Sequence, residues 1–246
     1  MRVFLIIVRR DILNLLKKGS FVFAAVIFPV ALVGLLGLLD EGLYGSALTG
    51  WDVCAVNVMI YMGAYAAMIS TNSFMERTLR PTNLRVLFTP VPLPVLYLGK
   101  IVATTVFCGA GYVIDMIALS LCGVHLGPAL GMEMAGLVLA VTLASTSIGV
   151  FVCCIVKDEP TSNRVLSLIM NALAAIGGVF FSLERLGGAA VKIASFSPFT
   201  WLREAAFHFV WNGTARSLAV ASGAAVMVAA VAVVACRASF KPEDYV

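Results

Sequence analysis

Glu76-Arg77-Thr78-Leu79-Arg80-Pro81-Thr82-Asn83-Leu84-Arg85-Val86-Leu87-Phe88-Thr89-Pro90 is a short charged break between two long apolar stretches. It mixes three arginines and a glutamate with large apolar side chains. A chain reversing at a membrane surface needs only a few residues, so this segment is longer than a turn requires. The mixture suits a short amphipathic helix at the cytoplasmic face. Pro81 sharpens the reading to a turn through Arg80-Pro81 and a helix from about Thr82 to Phe88, because proline cannot donate inside a helix. Such an element can receive a push from a soluble partner.

The rest of the chain explains why a soluble partner is needed to reach it. Of 246 residues, 61% are hydrophobic and 12% charged, against roughly 45–50% and about 25% in soluble domains. That composition excludes a soluble domain and points to an all-α integral membrane protein. The apolar stretches are continuous and do not alternate, which argues against a membrane barrel. Cys54, Cys108, Cys122, Cys153, Cys154 and Cys236 fall in or beside those stretches. Their spacing is neither that of a zinc site nor that of a disulfide framework, and they read as small packing residues. Residues 1–18 are charged throughout and a full-length span follows, which is unlike a cleavable signal.

With about 20 apolar residues per crossing, the sequence predicts one transmembrane domain over 1–246 with six spans, at about 21–39, 54–74, 101–122, 134–156, 165–183 and 217–236. Thirteen of the seventeen lysines and arginines then fall on one side, in 1–18, 77–100, 157–164 and 237–241. The other side holds Arg185, Lys192, Arg203 and Arg216. Basic residues collect in cytoplasmic loops, so both termini are expected inside, in a multi-pass inner (plasma) membrane protein. Phe4, Ile7, Val8, Leu15 and Leu16 can share one face of a helix over 1–18, opposite Arg2, Arg9, Arg10 and Lys17. That pattern suits an interfacial helix on anionic lipid headgroups, with a bend at Gly19-Ser20. The segment 184–216 contains many apolar residues and predicts one or two short helices re-entering the outer leaflet, broken near Ser197-Pro198.

The order of these features resembles the membrane-spanning permease subunit of type-2 ABC exporters. The likeness covers nearly the whole chain: a basic N-terminal helix, six spans and a coupling segment after the second span. It rests on Phe74-Met75-Glu76-Arg77, then Leu87-Phe88-Thr89-Pro90-Val91, then Leu98-Gly99-Lys100 opening the third span. Gly177-Gly178-Val179-Phe180-Phe181-Ser182-Leu183-Glu184, followed by Phe196-Ser197-Pro198-Phe199-Thr200-Trp201, is similar to the family's last outer region. The resemblance implies ATPase coupling through Glu76, Arg77, Arg80, Leu84, Arg85, Leu87 and Phe88. It also implies two cytoplasmic ABC ATPase subunits and a second permease subunit, identical or homologous, paired through the first and fifth spans. ATP and Mg belong on the partner ATPase. Gly99-Lys100 has Pro94 where a phosphate-binding loop needs glycine, and Ile101 where it needs Ser or Thr, so this chain cannot cradle ATP in that way. Glu204-Ala205-Ala206 is similar to an importer motif, but position 210 is Val210 where that motif has glycine, and the charge count puts the segment outside.

Asp115 is the only ionisable side chain placed deep in a predicted span. It lies 15 residues beyond Lys100, about 22 Å along a helix at ~1.5 Å per residue. A membrane carboxylate is costly and points to function; Arg185, Lys192, Arg203 and Ser145 are its candidate partners. Asn57, Met68, Asp115, Asn171, Phe180 and Phe181 are the candidate lining of a translocation path. Ser70, Thr71, Asn72, Thr142, Ser145, Thr146, Ser147 and Ser167 read as lining or as interhelical hydrogen-bond glue. His125 and His208 have no third ligand or nucleophile beside them, so no metal site and no catalytic residue is expected, nor a nucleic-acid partner. The apolar lining suggests a lipophilic or amphipathic cargo such as a drug, lipid or peptide natural product. The alternative is an ATPase-independent channel or an intramembrane enzyme; the enzyme would need a paired catalytic set, and Asp115 stands alone.

Overall fold

The computed structural model describes residues 2–39, 49–75, 92–127, 131–180, 192–213 and 215–240. Every regular element among them is helical. The order is α1 (Arg2–Lys17), α2 (Gly19–Leu39), α3 (Gly50–Met75), α4 (Leu93–Leu121), α5 (Met132–Val156), α6 (Glu159–Ile176), α7 (Pro198–Asn212) and α8 (Ala215–Ser239). Five of these, α2, α3, α4, α5 and α8, are long and apolar enough to cross a membrane.

The expected fifth span over 165–183 needs correction. The helix there is Glu159–Ile176. It starts at Glu159 because Asp158 is its N-cap, accepting from the Thr161 amide at 3.0 Å, with Pro160 in the first turn. Lys157, at φ 61°, makes the tight left-handed step out of α5. The helix stops where Gly177 and then Gly178, at φ 69°, end the last turn. Its first two turns hold Glu159, Asn163 and Arg164, which dilute its apolar character. Asn163 bonds Asn72 near the end of α3, and Ser197, at the head of α7, donates to the Leu173 carbonyl at 2.7 Å. So α6 runs alongside α3 and ends against α7.

At the centre stands α3, which is buried nearly all round. Its closest partner is α5, and the approach is possible because glycine sits at the crossings. A Cβ on Gly149 would overlap Ser70 Oγ and the Ala67 carbonyl, and one on Gly63 would lie 3.3 Å from the Val138 carbonyl. Ser70 Oγ donates across the seam to the Thr146 carbonyl at 3.1 Å. Small residues with one bridging hydroxyl are how membrane helices pack without a hydrophobic drive between them.

The first span carries a local distortion with an identifiable cause. Helix α2 widens into a π turn over Phe23–Ile27. Pro29 has no N–H to return to the Ala25 carbonyl, so the regular ladder breaks there. Ala25 is buried against α4, where a Cβ on Gly111 would lie 2.7 Å from that carbonyl oxygen.

Two faces of the bundle are defined by what closes them. On one, Phe74 and Tyr97 pack on Phe240 with ring centroids 6.1 and 5.9 Å apart, among Cys153, Cys154 and Cys236. Helix α1 docks here, and we call it the N-terminal face. On the opposite face the Asp52 carboxylate accepts from the Thr49 amide and hydroxyl, at 2.9 and 2.8 Å, and from the His125 amide at 2.6 Å. Phe209 of α7 packs beside Gly127 there, and Gly213, at φ 64°, ends α7 ahead of α8.

Candidate functional site

On the N-terminal face a buried ion pair fixes α1. Lys100 Nζ, two turns into α4, donates to Asp11 Oδ1 at 2.8 Å, and both side chains are only 8% exposed. Val8, Asp11 and Leu15 form the buried stripe of α1. The stripe shares Val8 and Leu15 with the expected apolar face, whereas Leu16 is exposed. A Cβ on Gly99 would come within 3.1 Å of Ile7 Cγ2, so the two helices touch closely at this level. The break between α1 and α2 falls at Lys18, where the backbone is extended and the ammonium lies 5.4 Å from the centre of the Phe21 ring. The segment expected to couple, with Glu76, Arg77, Arg80, Leu84, Arg85, Leu87 and Phe88, lies outside the described residues. Its flanks do not: Met75 ends α3 and Pro92 precedes α4, and both belong to this face.

A second cluster joins α3 to α6. Tyr61 Oη donates to Asn171 Oδ1 at 2.8 Å, and Asn171 Nδ2 donates to Ser167 Oγ at 3.2 Å. The Tyr61 ring meets Phe180 edge-on at 5.1 Å and Tyr65 at 6.4 Å. Asn171 is exposed and Phe180, Met68 and Met170 are half-buried, so this aromatic and amide surface reaches the edge of the protein. Of the candidate lining residues, Asn171 and Phe180 are brought together here, through Tyr61. Phe181 lies outside the described residues.

Asn57 and Asp115 sit elsewhere, inside the bundle. Asp115 is 1% exposed, and Asn57 is also buried. Asn57 Oδ1 and Asp115 Oδ2 find no hydrogen-bond partner among the described residues. Of the partners expected for Asp115, Arg203 donates to the Gly178 carbonyl at 2.6 Å and lies 5.8 Å from the Phe207 ring, and Lys192 is exposed. Arg185 lies outside the described residues. Most of the span hydroxyls bond to the bundle itself. Thr71, Thr142 and Ser147 return to carbonyls one turn back at 2.7–2.9 Å, and the Thr105 and Thr146 hydroxyls meet at 2.8 Å.

Three long-range contacts escaped the sequence reading. Asp11 carried a signal: it is the one acid among residues 1–18 and falls three residues after Val8 and four before Leu15, on the apolar stripe. Tyr61 and the Asp52–His125 bond carried none, because their partners are far away in sequence. No curated protein matches the chain. The family model of the ABC-2 type transporter matches residues 2–211, so the chain belongs to that family, as the non-catalytic membrane permease of an ABC transporter whose partners are ABC ATPase subunits.

Proposed function

We propose that this chain is the permease subunit of an ATP-driven exporter that moves a lipophilic or amphipathic cargo out of the cell. The observation that carries the reading is the N-terminal face. The segment 76–91 connects the end of α3 to the start of α4, and α4 is pinned to α1 by Asp11 and Lys100. A force applied to that segment reaches three helices together. Two ATPase subunits press on two copies of it, one in each of two permeases, identical or homologous. ATP and Mg stay on the ATPases. Both termini are cytoplasmic in a multi-pass plasma-membrane protein, as the basic loops favour.

In this reading α6 also crosses the membrane, fifth in chain order, which brings the crossings to six. Its 18 residues reach about 27 Å at ~1.5 Å per residue, close to the ~30 Å hydrocarbon thickness, and side-chain bonds hold it beside α3 and α7. The path lies between the two protomers, along the surface of Asn171, Tyr61 and Phe180. An amide and phenol among aromatic rings can satisfy one polar group on a largely apolar cargo. ATP binding shifts the path between inward- and outward-open states, which requires the cargo to bind the two states unequally.

Arg77, Arg80 and Arg85 test the coupling. A tagged chain extracted in mild detergent should bring down an ATPase subunit. Changing the three arginines together to alanine should abolish that association and cargo export while leaving folded permease in the membrane. Undiminished export by the triple variant would refute coupling through this segment.

A further inference from the structure

Helices α7 and α8 enclose a groove of about 650 Å³ on the face opposite α1. Trp201, Glu204 and His208 contribute a single stripe of α7, at i, i+3 and i+7, and Arg216, Val220 and Ala224 a single stripe of α8. The two helices run antiparallel from the break at Gly213, so the groove is graded along its length. His208 and Arg216 flank the break, Glu204 comes a turn further in, and Trp201 faces the level of Ala224. All six residues are exposed. The floor is the first part of a span, so the groove opens towards lipid at the level of one leaflet.

Its chemistry is that of an interface. Trp201 is 68% exposed yet fixed, because its indole N–H donates to the Ser195 carbonyl at 3.0 Å. Tryptophan prefers the headgroup level, where one end is apolar and the other wet. Glu204 lines the groove from α7 and Arg216, of opposite charge, lines it from α8, and among the described residues neither makes an ion pair. A single anion would be repelled by Glu204 and a single cation by Arg216. A zwitterion meets both.

From this the geometry points to a binding site for a phospholipid with a primary-amine headgroup. The phosphate takes the Arg216 guanidinium, the primary ammonium donates N–H bonds to the Glu204 carboxylate, which a quaternary choline has no N–H to make, and an acyl chain lies over Val220 and Ala224 against the Trp201 ring. The site requires only that α8 is embedded in a bilayer. It would survive failure of the exporter reading, and its own failure would leave that reading intact.

The test uses the full chain with Trp51→Phe and Trp211→Phe, so that Trp201 reports alone. The protein is placed in nanodiscs of phosphatidylcholine doped with dibrominated phosphatidylethanolamine, phosphatidylcholine, phosphatidylglycerol or diacylglycerol, whose bromines quench the indole. Phosphatidylethanolamine should quench at about three- to fivefold lower mole fraction than phosphatidylcholine, the size of one partly exposed ion pair. Glu204→Gln should erase that preference. Arg216→Gln should erase the preference of phosphatidylethanolamine over diacylglycerol, which lacks phosphate. Both variants should keep the elution profile and the Trp201 emission maximum of the parent. Equal quenching by all four lipids would mean an unselective lipid contact and overturn the site. So would a preference for phosphatidylglycerol, which makes it an anion site, or no quenching at all, which means that protein covers the groove.

Discussion

A lysine buried at the foot of a membrane helix must be paired, and Asp11 supplies the charge for Lys100 at 2.8 Å. The pair is incomplete, since Asp11 Oδ2 has no hydrogen-bond partner among the described residues. Its value therefore lies in what breaking it would cost, about 3–5 kcal/mol when one charge is left buried alone. Lys100→Met and Asp11→Asn should each lower the half-unfolding temperature in detergent markedly. The double variant Asp11→Leu/Lys100→Met should recover much of the loss. Equal, additive losses would show that the two side chains do not depend on each other. Glycines give a second residue-scale prediction. Gly149→Ala drives a Cβ into the α3 backbone and should cost about 3 kcal/mol or more of stability, because a packed crossing cannot widen locally. Gly136→Ala meets nothing within 4 Å and should leave the same measurement unchanged or slightly raised.

Among the elements, α6 is held largely by side-chain hydrogen bonds. Asn163 to Asn72 and Asn171 to Tyr61 hold it along α3, while Leu168 and Ile169 face outwards. Tyr61→Phe keeps the edge-on contact with Phe180 and removes only the hydroxyl. It should cost about 1 kcal/mol, the scale of interhelical bonds in membranes, and speed amide exchange in α6 more than in α5. Uniform exchange across both helices would mean that the hydroxyl does not hold α6. The sequence located the other long helices well, because twenty apolar residues in a row admit few alternatives. It misplaced α6 because its start is set by the Asp158 cap and its end by Gly177 and Gly178, whereas the apolar run alone continues to residue 183. The docked face of α1 was partly legible: Val8 and Leu15 are buried as the periodicity implies, but Asp11 between them is visible only once Lys100 is opposite it.

For the whole molecule, the exposed apolar side of α6 bears on assembly. Leu168 is 75% exposed, and in the proposed pairing it faces the second permease. Leu168→Cys in a Cys122→Ser background should form a cross-linked dimer in native membranes with a short bifunctional thiol reagent. Only monomer, with Leu168→Cys still labelled by a lipid-soluble maleimide, would place this face against lipid instead. By itself the sequence determined the class of the protein, the number of long apolar helices within one, and the family. These follow from composition and order, which any membrane imposes on a chain in the same way. Only the tertiary structure decided that Lys100 is paired, that Tyr61 links Asn171 to Phe180, that Asp115 Oδ2 has no hydrogen-bond partner among the described residues, and that α7 folds back on α8 around a groove. Each depends on how helices pack against one another in three dimensions, a geometry that linear periodicity does not encode.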